Sequence, residues 1–266
     1  MQELFIYLLK SSGLIAAFFL SYHFLLRKET FFTSNRWFLL AGLITSVALP
    51  LYFIKKIVFV ERPKITTADL VALSNNSNSN ATQTVPTLVE SIDWMQVVAF
   101  GYVVVVLILV LKILFNVLSL FKLLHNQTIE KQETFAIVDL QENIAPFSFF
   151  NFIVFNSSLY TQNEMESILL HEKVHSKQKH SFDVLLVKLF CVLFWFNPFI
   201  WLYKKAIIQN LEYIADSEAI QLIEDKKVYQ KALLKVVTHQ NCLSITNPFY
   251  QSLIKKRIVM LNKNQS

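Results

Sequence analysis

The run from Trp94 to about Phe121, centred on VVVVLILVLKILF, constrains this chain more than any other feature. A helix needs roughly 20 apolar residues to cross the hydrocarbon core of a bilayer, and this run exceeds that. Leu4 to Leu26 is a second such run. Trp37 to about Ile54 is a third, with Trp37 and Tyr52 placed to sit at the interfaces. The first run lacks the basic leader and small-residue cleavage site of a signal peptide, so it reads as a retained span. Composition agrees: 54% of the 266 residues are hydrophobic, 24 are Phe, only 3 are Gly, and the mean hydropathy is +0.42. The expected class is a mainly α, multi-span membrane protein whose first partner is the lipid bilayer. A net charge of +6 fits cytoplasmic loops and lipid headgroups, and no direct nucleic-acid contact is expected. Cys191 and Cys242 form no CxxC metal pair, and no disulfide framework is expected from them.

Between the second and third runs lies LSNNSNSNATQTVP, which predicts a disordered outer loop over 61–93. With the amino terminus outside, the inner side carries Arg27, Lys28, Arg36, five lysines in 122–182 and ten basic residues after 203, so 18 of the 25 Lys and Arg. Lys55, Lys56, Arg62 and Lys64 fall outside. Basic residues concentrate on the cytoplasmic side, which puts residues 122–182 in the cytoplasm.

After the third run, TFAIVDL (134–140) and FNFIVFN (150–156) are rich in β-branched and aromatic residues, with turn chemistry in NIAPFS between them. They predict a hairpin or small sheet. TQNE then sets Thr161 and Glu164 as a capping box, and Met165, Ile168, Leu169, Glu172 and His175 recur at helical spacing. The predicted helix carries His171, Glu172 and His175 as H-E-x-x-H.

Residues four apart on a helix lie one above the other, so His171 and His175 can offer two imidazoles to one metal ion. Glu172 is rotated away from His171 and can reach a water beside the ion rather than the ion. Zn2+ held by three protein ligands lowers the pKa of a water in its fourth position to about 7. Glu172 is then the catalytic base. The bland alternative is a solvated helix whose His and Glu make only surface hydrogen bonds.

The third ligand is less determined. A metzincin pattern would place a histidine at position 181, which is Ser181. His180 misses by one and, on a continuous helix, points half a turn from His171; it reads as a surface or interfacial histidine. Downstream, NLEYIAD sets Glu212 and Asp216 four apart. Glu212 can complete a His/His/Glu set, and Asp216 can accept the free N–H of a ligand histidine from the second shell of groups around the ion. Glu218 is the alternative ligand, and an ordinary polar face beside Lys204 and Lys205 is the alternative to both.

The two halves of this site are separated by VLLVKLFCVLFWFNPFIWLY (184–203), about one membrane thickness of apolar sequence. A single crossing would leave Glu212 on the opposite face from His171 and His175. The segment is therefore expected to be re-entrant or a buried helical pair, bent at Asn197-Pro198, where proline removes a helix donor.

The order of these features resembles the M56 metallopeptidases, membrane zinc proteases of the BlaR1/MecR1 type in bacterial antibiotic-resistance signalling. The residues that carry it are the spans, APFSFF, a strand, H-E-x-x-H, a hydrophobic Asn-Pro segment, Glu-x-x-x-Asp and KKRIVML. The resemblance implies three N-terminal transmembrane helices over 1–121 and a gluzincin-like cytoplasmic zinc-protease domain over 122–266. It implies His171, His175 and Glu212 as zinc ligands and Glu172 as base. It also implies an antirepressor role at the bacterial inner membrane, by cleavage of a cytoplasmic BlaI/MecI-like transcriptional repressor or of the protease itself, with a homodimer among the assemblies it allows. Antibiotic-sensing members continue into an extracellular penicillin-binding domain, and no such segment precedes Ser266, so β-lactam sensing is not expected from this stretch.

The competing class is a catalytically silent signalling scaffold that binds a partner through the same domain. Intact His171, Glu172, His175 and Glu212 favour the enzyme, since a scaffold need not keep the base. A transporter lacks support, because no inverted repeat or pair of broken helices is visible. For substrate, the strand near Phe152–Phe155 is expected to offer an edge to which an extended peptide adds, with Phe152 and Val154 in contact.

Overall fold

The computed structural model describes residues 2–52, 93–125, 129–131, 134–142, 144–223, 225–239 and 247–263. Helix α1 (Gln2–Ser21) continues into a π-helical turn, Tyr22–Leu26, and α2 spans Phe32–Ala48 before a 3-10 turn at Leu49–Leu51. Helix α3 (Trp94–His125) runs four residues beyond the expected Phe121. Among the described residues, Glu3–Leu26 and Trp94–Leu124 are the two helices long and apolar enough to cross a membrane.

The span expected over 37–54 differs from the helix observed. α2 starts at Phe32, five residues earlier, and Asn35 in its polar first turn donates Nδ2 to Leu26 O at 3.3 Å. The apolar pattern alone could not see that bond. Residues 53 and 54, and the loop expected over 61–93 up to residue 92, lie outside the described residues.

A four-stranded sheet follows: β1 (Ile129–Lys131), β2 (Ala136–Asp139), β3 (Phe147–Phe149) and β4 (Phe152–Phe155), in the order β1-β2-β4-β3. The two β-rich runs of the sequence are β2 and β4, and they pair parallel rather than as a hairpin. The hairpin is β3–β4, closed through Phe150, whose φ of 50° is in the left-handed region, and its N–H donates to Ser181 Oγ at 2.8 Å. Ser181, the position a metzincin histidine would occupy, thus anchors a turn.

This arrangement corrects the expected docking edge. β4 is paired on both sides, Val154 with Val138 and with Phe147, and Val154 is fully buried. Its backbone groups are already used, so no peptide can add there. Phe152 is likewise paired with Ala136 and Phe149, and the free edge on this side of the sheet is β3.

The remaining helices are α4 (Gln162–Lys177), α5 (His180–Leu193), α6 (Pro198–Gln221), α7 (Lys226–His239) and α8 (Asn247–Leu261). α4 begins where the sequence predicts, with the Thr161/Glu164 capping box in place and Thr161 N donating to Glu164 Oε2 at 2.8 Å.

The hydrophobic segment turns back on itself. α5 has 14 residues, roughly 21 Å at about 1.5 Å per residue, which is short of a bilayer core of about 30 Å. Asn197 caps α6 by accepting from Phe199 N at 2.9 Å, with Pro198 in the first turn where its missing N–H costs nothing. Asn197 Nδ2 also donates to Ser12 O at 3.4 Å, and Tyr102 donates to Leu193 O at 2.8 Å. The corner therefore stands beside the middle of α1, and the chain returns to the side it left.

One apolar core joins α1, α2, α5 and α6, with Ile15, Leu39, Leu43, Val187, Ile200 and Tyr203 fully buried. Close approach is made possible by Gly42: a Cβ there would meet the Tyr203 hydroxyl at 2.6 Å. Small residues at such crossings bring helix backbones together where lipid offers no hydrophobic drive between helices.

Candidate metal site

The site is assembled from α4 and α6. On α4, His171 and His175 are one turn apart, and their Nε2 atoms lie 3.1 Å from each other. On α6, Glu212 brings Oε2 to 3.4 Å from His171 Nε2 and Oε1 to 3.7 Å from His175 Nε2. One ligand atom from each of the three falls within 4.8 Å of the others. Two imidazoles and a carboxylate converging this closely are the donor set of a catalytic zinc site, so the residues present fit the metal. The hairpin of α5 and α6 is what places Glu212 on the same side as the histidines.

The hydrogen bonds around each histidine orient it. Tyr229, on α7, donates to Asp216 Oδ1 at 2.7 Å, so its oxygen accepts from His171 Nδ1 at 2.9 Å. Asp216 Oδ1 is itself 3.2 Å from that nitrogen. Nδ1 therefore holds the hydrogen and Nε2 is free to ligate. Asp216 is fully buried. Glu218, the alternative ligand, instead accepts from Gln178 Nε2.

Two residues without a sequence-based role complete the surroundings. Arg257, on α8, reaches Glu212 Oε2 with Nη1 at 2.9 Å and grips Asp216 with Nε at 2.8 Å and Nη2 at 2.6 Å. Tyr229 is the other. KKRIVML contains Arg257, but its partners lie 41 and 45 residues earlier (257 − 216 and 257 − 212), and nothing in the motif points to them.

His180 overturns the surface reading. It is 3% exposed, and its Nδ1 lies 2.7 Å from His175 Nδ1. The helix is not continuous: Lys179 adopts φ 55°, ψ 40°, and α5 starts in a new direction with His180 as its first residue. A left-handed lysine carries no Gly or Asn signal, so the reversal could not be read from the chain.

The electrostatics follow from these contacts. Burial opposes charge on His171, but hydrogen bonds to Asp216 and Glu212 outweigh it and raise its pKa to about 9. Burial pushes Glu212 up, yet Arg257 and then the His171 hydrogen bond hold it well below the usual carboxylate range. Asp216 is likewise pushed up by burial but held down to about 2 by Arg257 and His171. Burial, with His175 and Arg36 adding, lowers His180 to about 3, so it is neutral. Without a metal, the site holds its positive charge on His171 and Arg257.

Glu172 is buried and borders the same cleft of about 940 Å³. The cleft also runs along Phe147, Ser148 and Phe149 of β3, and its lining is mostly apolar. Phe152 and Val154 are not among the residues that line it.

Residues 151–261 match the model of the family described as BlaR1 peptidase M56. Over this block the chain is similar to the M56 family. It is 32% identical over 113 residues to the regulatory protein BlaR1 of Bacillus licheniformis, which covers 38% of this chain and 18% of that protein. It is 23% identical over 127 residues to the regulatory protein BlaR1 of Staphylococcus aureus, covering 45% of this chain and 20% of that one. The chain thus spans about a fifth of the length of the curated relatives it matches.

Proposed function

We propose that this chain is a membrane-embedded zinc endopeptidase that passes a signal by cleaving a cytoplasmic protein. The observation that carries the reading is the convergence of His171, His175 and Glu212 with Glu172 beside them in one cleft. Zinc bound by those three residues would polarise the scissile carbonyl and make a water nucleophilic near neutral pH. Glu172 accepts the proton of the attacking water and returns it to the leaving amine. Asp216 and Tyr229 hold the His171 ring, and Arg257 holds both carboxylates. The apolar cleft beside β3 suits an extended peptide, whose main chain pairs with Ser148 and its neighbours on the free edge.

The membrane arrangement is part of the same proposal. Three N-terminal spans, with α2 and the 3-10 turn after it (Phe32–Leu51) as the second beside the two longer apolar helices, put residues 27–36, 122–182 and 204–266 on the cytoplasmic side of a bacterial inner membrane. Contacts support one shared side for these segments: Arg36 Nη2 donates to Gln178 O at 3.0 Å, Asn210 Nδ2 to Phe32 O at 2.8 Å, and Lys263 Nζ to Lys28 O. The substrate class is a cytoplasmic transcriptional repressor of the BlaI/MecI type or the protease itself, and a homodimer is compatible with the exposed face of α3. Purified protein should cleave a peptide library in a reaction that a chelator stops and added zinc restores. Cleavage indifferent to both would defeat the reading.

A further inference from the structure

His175 presents Nε2 to His171 and Glu212, so its far nitrogen is Nδ1, and that atom faces His180 Nδ1 at 2.7 Å. When Nε2 gives its lone pair to a cation, Nδ1 carries the hydrogen and donates it, so His180 Nδ1 is the acceptor. The His180 hydrogen is then on Nε2, which points to Gln178 Oε1 at 3.1 Å. The same oxygen accepts from Arg36 Nη1 at 3.0 Å, and Gln178 Nε2 is left to donate to Glu218. Every polar atom in this chain has one consistent role, and it runs from a ligand on α4 to Arg36 on α2. Arg36 also pairs with Asp183 of α5 at 2.7 Å and bonds Gln178 O, so α2 holds the α4–α5 corner at several points.

We propose that His180 is a positioning residue for the metal ligand His175, and that through Gln178 and Arg36 it ties that ligand to helix α2. The inference rests on the metallopeptidase reading given above. It distinguishes the two histidines. His171 is backed by the Asp216 carboxylate, which raises a ligand's basicity; His175 is backed by a neutral imidazole, which raises it less. His175 is therefore the more weakly set ligand, and it is the one whose orientation depends on a helix from the N-terminal apolar group. A displacement of α2 is felt at the metal through this side of the site.

The test measures zinc affinity by chelator competition, and the visible spectrum of the cobalt-loaded protein, for the whole chain in detergent. H180F should weaken zinc by about 10–100-fold and shift the cobalt spectrum, since the acceptor is gone. H180N should recover most of the affinity, because its Oδ1 can take the His175 hydrogen. Gln178→Leu, which leaves the Arg36–Asp183 pair intact, should weaken zinc by a smaller factor. If H180F disturbs folding, shown by a lost melting transition, the H180N and Gln178→Leu variants carry the comparison. Wild-type affinity and spectrum in H180F would overturn the positioning role, as would H180N as weak as H180F. Wild-type behaviour in Gln178→Leu would overturn the tie to α2. A wild-type chain that takes up no zinc, like an H171A control, would instead sink the metallopeptidase reading and this proposal with it.

Discussion

Arg257 Nη1 lies 2.9 Å from Glu212 Oε2, so a candidate metal ligand is already ion-paired to helix α8. The same guanidinium bonds both oxygens of Asp216, and all three side chains are mostly withdrawn from water. Breaking a buried pair on one side leaves uncompensated charge, which costs about 3–5 kcal/mol. Arg257→Gln should therefore lower the melting temperature of metal-free protein well below that of wild type. Zinc should restore more of it than it adds to wild type, because binding only the folded state stabilises that state and the ion replaces the missing charge. Equal melting of the two metal-free proteins would contradict this.

The charge state of His171 gives a pH prediction. Its folded pKa is raised to about 9 from an ordinary 6.5. A raised pKa stabilises the fold below the unfolded value, and that contribution is lost as pH climbs through about 9. The metal-free protein should accordingly lose stability between pH 6.5 and 9 from this group. Ligation needs the neutral ring, so zinc uptake near pH 7 should release about one proton. Calorimetry in two buffers of different ionisation heat measures that number; no proton release would remove His171 from the ligand set.

Glu212→Ala leaves two histidines and should abolish stoichiometric zinc binding. Asp216→Asn keeps the ligands but weakens the acceptor behind His171, which should cost roughly 10–100-fold in affinity. Metal analysis after dialysis ranks them. Full zinc in Glu212→Ala would move the third ligand elsewhere, although Glu218 is already engaged with Gln178.

The crossing of α2 and α6 is tested at Gly42. Alanine has the better helix propensity by roughly 1 kcal/mol, yet its Cβ would meet the Tyr203 hydroxyl at 2.6 Å and Phe18 at 3.0 Å. That hydroxyl is fixed by donating to Leu39 O at 2.7 Å, so it cannot swing aside. Gly42→Ala should lose about 1–3 kcal/mol, and adding Tyr203→Phe should return part of it by removing the clashing oxygen. A higher melting temperature in Gly42→Ala alone would mean the helices have room to spare.

The legible parts of this molecule were those written in local chemistry. Thr161 and Glu164 announce the start of α4, H-E-x-x-H and NLEYIAD point to the side chains that converge, and Asn197-Pro198 marks a corner whose need follows from putting Glu212 near His171. Other features depend on pairings across the chain. β2 and β4 run parallel with β3 on the far side of β4, so β4, with Phe152 and Val154, is interior rather than an edge. Tyr229 and Arg257 reach His171 and Asp216 from helices that follow much later. His180 enters the site because Lys179 adopts a backbone conformation that its residue type disfavours, and the reversal swings the ring inward.

The central claim is that three residues hold zinc while Glu172 does only proton chemistry, and Glu172→Gln separates the two. An amide has the shape of the carboxylate but cannot accept the proton of the attacking water. Zinc content per chain, measured beside peptide cleavage on the same sample, should read one ion in wild type and in Glu172→Gln, with cleavage in wild type alone. Undiminished cleavage by Glu172→Gln, or zinc lost together with activity, would contradict the account.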